Sequence, residues 1–449
     1  MVDTSETSGS ESFQPLSQCR VLDFTWSVLG PTLTRNLAGL GAEVIKVEWP
    51  RNPDPMRKVM YARGETDPGL DNGPFFNNLN VGKRSFTLDA KSERGRGIIR
   101  RLIAQCDVVA ESFSSQVFRS WGLGYEDLRA INPRIVYISA SGFGHSGPRE
   151  RYETWGPTAQ ALTGVTATSG EPGHQPAGWG WSYLDTMGGA MATVGVLAAL
   201  LEARSGGEGQ YIDLSQTDIG VGLTGPSFLD VMANGRALTN EKFPPGNRAV
   251  SVTGSEQVHG YRSEHGAPYG CYPTRGGGHN DFFVISVLSD EEWLRLVDVM
   301  GQPEWVRAGS FATTADRIRQ QDQLDAHIST WTSQHDKYEL LEELQARRIR
   351  CAPVQSNMDL LERDPQLAHR ELYPSLTHPL LGEHRYEAMP LGPRGSRLAP
   401  QWPLLGESNE YVLREVLGLS SEEVEDLDAS GVTWPLGLDR HIPVERPTW

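Results

Sequence analysis

The stretch RVLDFTWSVLGPTLTRNLAGLGAEVIKVE, residues 20–48, decides the fold. Arg20–Phe24 is a short apolar run that reads as a buried strand. Pro31–Leu40 has a helical pattern that stops at Gly41, and Ala42–Val47 is the next strand. The alternation continues beyond this window. Ser85–Asp89, Asp107–Glu111, Ile135–Ser139 and Gln210–Leu214 read as strands, and Ser92–Gln105 as an amphipathic helix. A βαβ rhythm of this kind predicts an α/β fold with a mostly parallel sheet and helices on both faces.

Character changes near residue 240. Two strand-like segments, Ala267–Pro273 and Phe282–Val287, are joined by Gly276-Gly277-Gly278. Helical patterns follow over Asp290–Met300, Ala315–Thr330 and Lys337–Arg347. That composition suits a smaller α+β domain. At 449 residues the chain exceeds the size at which one core keeps growing, so two domains are expected. The working division is a loose acidic tail over 1–15, a large domain over 16–240, a small domain over 241–350, and a C-terminal segment over 351–449.

The net charge of −16 argues against a nucleic-acid or anionic-membrane partner. Cys19, Cys106, Cys271 and Cys351 are scattered and lack metal spacing, which fits reduced thiols in a cytoplasmic protein. None of the eleven His residues stands in a metal-binding pattern, and His145, His265 and His279 read as loop residues. The polar start of the chain has no apolar core of a signal peptide. The uncharged run Thr186–Leu201 is sixteen residues long and contains Gly188, Gly189 and Gly195. It falls short of the ~20 apolar residues that span a bilayer, so a buried helix is expected.

Asp185 stands just before that run. An Asp there reads first as an N-cap, its carboxylate accepting free backbone N–H groups of the first turn. The same position would hold the carboxylate ionised through the helix dipole, by roughly 0.3–1 kcal/mol. In a cleft it would present a carboxylate nucleophile. Composition alone leaves both readings open.

Gly142-Phe143-Gly144-His145-Ser146-Gly147 matches G-x-G-x-x-G after a strand. A dinucleotide fingerprint must open an apolar helix, however, and Pro148-Arg149-Glu150 follows instead. No G-x-S-x-G elbow occurs.

Taken together, the segments resemble the class III CoA-transferases of the CaiB/BaiF type. The resemblance is carried by Val21-Leu22-Asp23-Phe24, Gly30-Pro31, Leu40–Glu48 and Asn80-x-x-Lys83-Arg84-Ser85. It continues through Ser141–Pro148, Gly206-x-x-Gly209-Gln210-x-x-Asp213 and Pro403-Leu404-Leu405-Gly406-Glu407. It implies a Rossmann-like large domain completed by the C-terminal segment, a smaller domain, and two interlocked chains. The partner is a second copy, or a homologous chain in a heterodimer. The resemblance makes Asp185 the nucleophile and an acyl-CoA thioester a substrate, with no permanently bound cofactor and no metal.

By the same resemblance, CoA contacts fall to Val28 and Leu29 after the first strand, to Arg51, Lys83 and Arg84, and to Ser112. For Lys83 and Arg84 a solvated basic turn is an equal reading. The acyl pocket takes Trp155 and Tyr183, with backbone N–H groups of Gly266-Ala267 as candidate oxyanion donors. Trp179 and Trp181 add aromatic character that would suit an aryl or dicarboxylic acid, with succinyl-CoA as one donor. The racemase branch of the family carries a His where Trp155 stands here, which places that alternative second.

Overall fold

Residues 20–48 form β1 (Arg20–Phe24), α1 (Leu29–Gly39) and β2 (Glu43–Glu48). Leu22, Phe24, Ile45 and Val47 enter one hydrophobic cluster, while Val21 and Val44 enter another on the opposite face. Both faces of the sheet are therefore covered, which is why these strands read as continuous apolar runs. The computed structural model describes residues 14–58, 69–168, 176, 178, 180, 182–235, 266–307, 309–391 and 401–435.

The succession goes on with α2 (Pro74–Asn80), β3 (Arg84–Thr87), α3 (Glu93–Ile103) and β4 (Val108–Glu111). Then come α4 (Val117–Ser120), α5 (Tyr125–Ile131), β5 (Val136–Ser141), α6 (Gly156–Leu162), α7 (Tyr183–Arg204), β6 (Tyr211–Ser215) and α8 (Gln216–Leu223). The six strands form one sheet in the order β3-β2-β1-β4-β5-β6, with every neighbouring pair parallel. Strand order reverses between β1 and β4. In such sheets ligands bind outside the carboxyl ends of the strands at that reversal.

The chain divides into two compact units. One gathers the described residues of Met1–Ala159, Gly180–Gly220 and Pro365–Trp449, and the other those of Gln160–Trp179 and Val221–Asp364. In the first unit the C-terminal segment covers the edge strand β3. Ser85 N–H donates to Glu407 Oε1 at 3.0 Å, Thr87 N–H to Asn409 Oδ1 at 2.9 Å, and Asp89 N–H to the Val432 carbonyl at 2.8 Å. Ser85 and Thr87 would otherwise present unpaired donors at a sheet edge, so these side chains stand in for a further strand. Val412, Leu413, Val424 and Leu427 pack into the same cluster as Ile98, Ile99 and Leu102 of α3.

Helix α7 is longer than the sequence run suggests. It starts at Tyr183, two residues before Asp185, and spans 22 residues. By length and composition alone it could cross a bilayer. One face is nevertheless committed to the core, where Ala192, Val196, Ala199 and Leu200 join Val21, Leu33 and Leu37. Gly188 and Gly189 let it approach α1 closely. A Cβ at Gly188 would lie 2.8 Å from Leu29 Cδ1, and one at Gly189 would lie 2.6 Å from Thr32 Cβ.

The second unit carries an antiparallel sheet in the order β7-β8-β9, with β7 (Tyr269–Pro273), β8 (Phe282–Ser286) and β9 (Arg350–Pro353). The glycine run closes the β7–β8 hairpin, using positive φ at Gly276 and Gly277. Helices Asp290–Val299, Gln321–Thr332 and Lys337–Ala346 supply its core with Trp293, Leu296, Leu324, Ile328, Leu340 and Leu344. The helix expected over Ala315–Thr330 is two, Thr314–Arg319 and Gln321–Thr332.

Candidate active site

Asp185 occupies the third position of α7, so it is not the N-cap that its place in the sequence suggests. Ser182 holds the cap position, in the left-handed region at φ 53°, and its carbonyl accepts the Asp185 N–H at 3.0 Å. Freed from capping, the Asp185 carboxylate turns toward neighbours in the same unit. Gln216, the first residue of α8 directly after β6, donates from Nε2 to Asp185 Oδ1 at 2.8 Å. The Ser182 side chain also hydrogen-bonds the carboxylate. Oδ2 lies against the α-carbon of Gly156, where a Cβ would overlap it and sit 2.9 Å from Ser182 Oγ.

Burial dominates the electrostatics here. Desolvation raises the Asp185 pKa above the ordinary carboxylate value, and the hydrogen bonds from Ser182 and Gln216 only oppose it. The helix dipole alone therefore does not secure ionisation, since the site is drier than an exposed helix end. A raised carboxylate pKa in a specific hydrogen-bonded setting is a common property of reacting groups.

The residues expected to meet CoA separate into two sets. Val28 and Leu29 follow β1, Ser112 follows β4, and these two turns flank the reversal in strand order. Ser112 ties them together, its Oγ accepting the Trp26 N–H at 2.8 Å and donating to the Trp26 carbonyl at 3.3 Å. Arg51 is exposed in the turn after β2.

Lys83 and Arg84 are placed elsewhere. Lys83 has no exposed side-chain surface and meets Asp23 at 3.3 Å, Asn80 Oδ1 at 2.7 Å and the Pro31 carbonyl at 3.2 Å. Burial pushes its pKa down to about 7, with Asp23 opposing. Arg84 pairs with Glu43 at 3.2 Å, at the amino end of β2, and stacks 4.0 Å from the Tyr411 ring centroid. Both basic side chains hold sheet elements together, and neither is a solvated turn.

Tyr183 opens α7 and is half-buried, whereas Trp155 is 47% exposed, its N–H bonded to Thr158 Oγ1 at the start of α6. Gly266 and Ala267 belong to the second unit. Ala267 is fully buried there, with its carbonyl accepting Arg317 Nε–H at 2.7 Å, and a Cβ at Gly266 would run into the Val287 carbonyl. Trp179, Trp181 and His265 lie outside the described residues.

The glycine loop after β5 has an explanation other than a dinucleotide. Asp213 of β6 accepts the His145 N–H at 2.7 Å and Ser146 Oγ–H at 3.1 Å, and Gly144, at φ 77°, lies so close that a Cβ would be 3.1 Å from Asp213 Oδ1. His145 is buried, with its ring 3.7 Å from the buried Glu111 carboxylate, which also accepts Tyr137 O–H at 3.2 Å. Burial raises the Glu111 pKa. His145 thus sits in a loop, as expected, but is not a solvated residue. Among the described residues no cluster of His, Cys, Asp and Glu could hold a metal ion.

Gln216 and Gly156 escaped the sequence reading. The usable signal for Gln216 was its place, directly after a strand at the carboxyl end of a parallel sheet.

The family model described as CoA-transferase family III matches residues 16–409. The formyl-CoA:oxalate CoA-transferase of Streptomyces coelicolor is 33% identical over 420 residues, covering 93% of this chain and 98% of that one. The succinyl-CoA--D-citramalate CoA-transferase of Chloroflexus aurantiacus is 30% identical over 424 residues, again covering 93% and 98%. Among solved structures, a CAIB/BAIF family protein from Brucella suis superposes with a TM-score of 0.76 at 28% identity, covering 91% of this chain and 100% of that one. With the parallel sheet and its order as described, the chain belongs to CoA-transferase family III.

Proposed function

We propose that this enzyme moves CoA from an acyl-CoA to a free carboxylic acid through covalent intermediates on Asp185. The observation that carries the reading is the Asp185 carboxylate itself. It is desolvated, hydrogen-bonded on Oδ1 by Gln216, and bordered on the Oδ2 side by a residue with no side chain. A thioester carbonyl needs a nucleophile that is ionised near neutral pH, and a carboxylate meets that need without an activating base. Attack by Asp185 gives an acyl-aspartyl anhydride and CoA thiolate. The thiolate then converts the anhydride to an enzyme–CoA thioester, and the acceptor acid reverses both steps. Excluding water protects the anhydride from hydrolysis.

For substrates, the two relatives named above are called after oxalate and citramalate, both dicarboxylic acids, and one after succinyl-CoA. Succinyl-CoA with a dicarboxylic or aryl acid is the first pair to assay. The crevice between the turns after β1 and β4, at Val28, Leu29 and Ser112, is the proposed seat of CoA, with Arg51 at its rim.

We also propose an interlocked dimer. Met191, Val194 and Leu201 of α7 are 50%, 60% and 70% exposed in the single chain, which supports a covering partner. Asp185→Ala abolishes transfer on this reading while the secondary structure stays intact. Retained turnover in substrate-free variant protein would sink it.

A further inference from the structure

Gln216 is 3% exposed, and its side-chain amide points at one oxygen of a carboxylate. An ionised carboxylate can only accept, so the atom facing it must be the amide N–H. The two Asp185 oxygens are thereby made unequal. Oδ1 is tethered by Gln216, while Oδ2 borders the space that a side chain at position 156 would fill.

We propose that Gln216 is a catalytic residue of the transfer reaction, the oxyanion donor for every step in which a nucleophile adds to the aspartyl carbonyl. This rests on the reading of Asp185 as the nucleophile.

The electron movements make the role specific. In the first step Oδ2 adds to the thioester carbonyl, the charge develops on the substrate's acyl oxygen, and the C–S bond breaks to release CoA thiolate. In the second, the thiolate adds to Asp185 Cγ and the carbonyl electron pair moves to Oδ1. Collapse breaks the Cγ–Oδ2 bond and expels the first acid as its carboxylate, which carries Oδ2 away. In the third, an oxygen of the acceptor carboxylate adds to Cγ, the charge rests again on Oδ1, and thiolate leaves. In the last, thiolate attacks the acyl carbonyl of the new anhydride and the Asp185 carboxylate departs. Gln216 Nε2, already 2.8 Å from Oδ1, is in place for the second and third additions without rearrangement. It does not face the acyl oxygen that is charged in the first and last steps.

The test uses Gln216→Met, which removes the donor while keeping an unbranched side chain of similar size. Expected is a fall in kcat of roughly 10²–10³-fold, with KM for acyl-CoA changed only slightly. In rapid-quench experiments with succinyl-CoA alone, the variant should accumulate CoA that is attached neither to the acyl group nor to protein. The wild type should pass directly to protein-bound CoA. A kcat within about threefold of wild type, or slowing with no excess of unattached CoA, overturns the proposal.

Gln216→Glu guards against a variant that fails to fold. Its carboxylic acid donates only when protonated, so activity should move to acidic pH relative to wild type, and an unchanged pH profile would count against the donor role. The wild-type control separates the two layers. If no CoA appears on the Asp185 peptide in wild type, the nucleophile assignment fails, whatever Gln216 does.

Discussion

Asp185 shows how the state of a single carboxylate depends on its surroundings. Its folded pKa is raised by burial, so activity that needs the ionised form should be lost as pH falls through a value above the usual carboxylate range of about 4. The acid limb of the pH profile of kcat/KM reports it, and a limb at or below that range would contradict the account. Stability carries the opposite sign. A carboxyl with a raised folded pKa favours the fold below its unfolded pKa and loses that contribution as pH rises through the folded value. Asp185→Asn should therefore unfold at a higher temperature than wild type at neutral pH, with the difference shrinking as pH falls toward 4.

Gly156 supplies a second residue-scale prediction. A methyl there overlaps Oδ2, so Gly156→Ala should lower kcat by roughly 10²-fold, the scale of a misplaced reacting atom. Steady-state kinetics with an unfolding control checks this.

At the scale of elements, the contact of α1 with α7 is what places Asp185. Thr32 and Leu29 press on Gly189 and Gly188, and Asn36 Nδ2 donates to Thr193 Oγ1 at 3.1 Å one turn further on. Gly189→Val should cost about 1–3 kcal/mol or more by overpacking, measured by denaturant unfolding. Gly222→Ala, with nothing within 4 Å of a new Cβ in helix α8, should be neutral or stabilising. Equal effects of the two would remove the packing argument.

Much at this scale was legible. Arg20–Phe24 folds with the boundaries expected, because a short apolar run between polar residues is a local signal. The start of α7 was not, since Ser182 adopts a left-handed backbone that no local pattern announces. Nor were the roles of Lys83 and Arg84. Their partners Asp23 and Glu43 lie in strands that only the fold brings beside them.

Over the whole chain, the segments that carry the family resemblance bind one another. Asp23 meets Lys83, the glycine loop after β5 meets Asp213, and Pro403–Glu407 closes over Ser85, with the Pro403 carbonyl accepting Arg57 and Glu407 accepting the Ser85 N–H. Arg57 also joins Glu48 at 2.6 Å and Asp71 at 2.8 Å with no exposed surface. Most of that pattern is therefore architectural. Gln216, which donates to the Asp185 carboxylate, lies outside every stretch that carries the resemblance.

If two chains interlock, fold and dimer should be lost together. Unfolding should then be one transition whose midpoint rises with protein concentration, and a compact active monomer in sedimentation would refute interlocking.

The proposed reaction turns on the covalent passage of CoA through Asp185. Incubation with succinyl-CoA followed by borohydride should reduce an aspartyl thioester to an alcohol, read as a mass change on the peptide containing Asp185. That change is expected at Asp185 in the wild type and should be absent in Asp185→Ala. Modification at another residue, or none in an enzyme turning over, would contradict it.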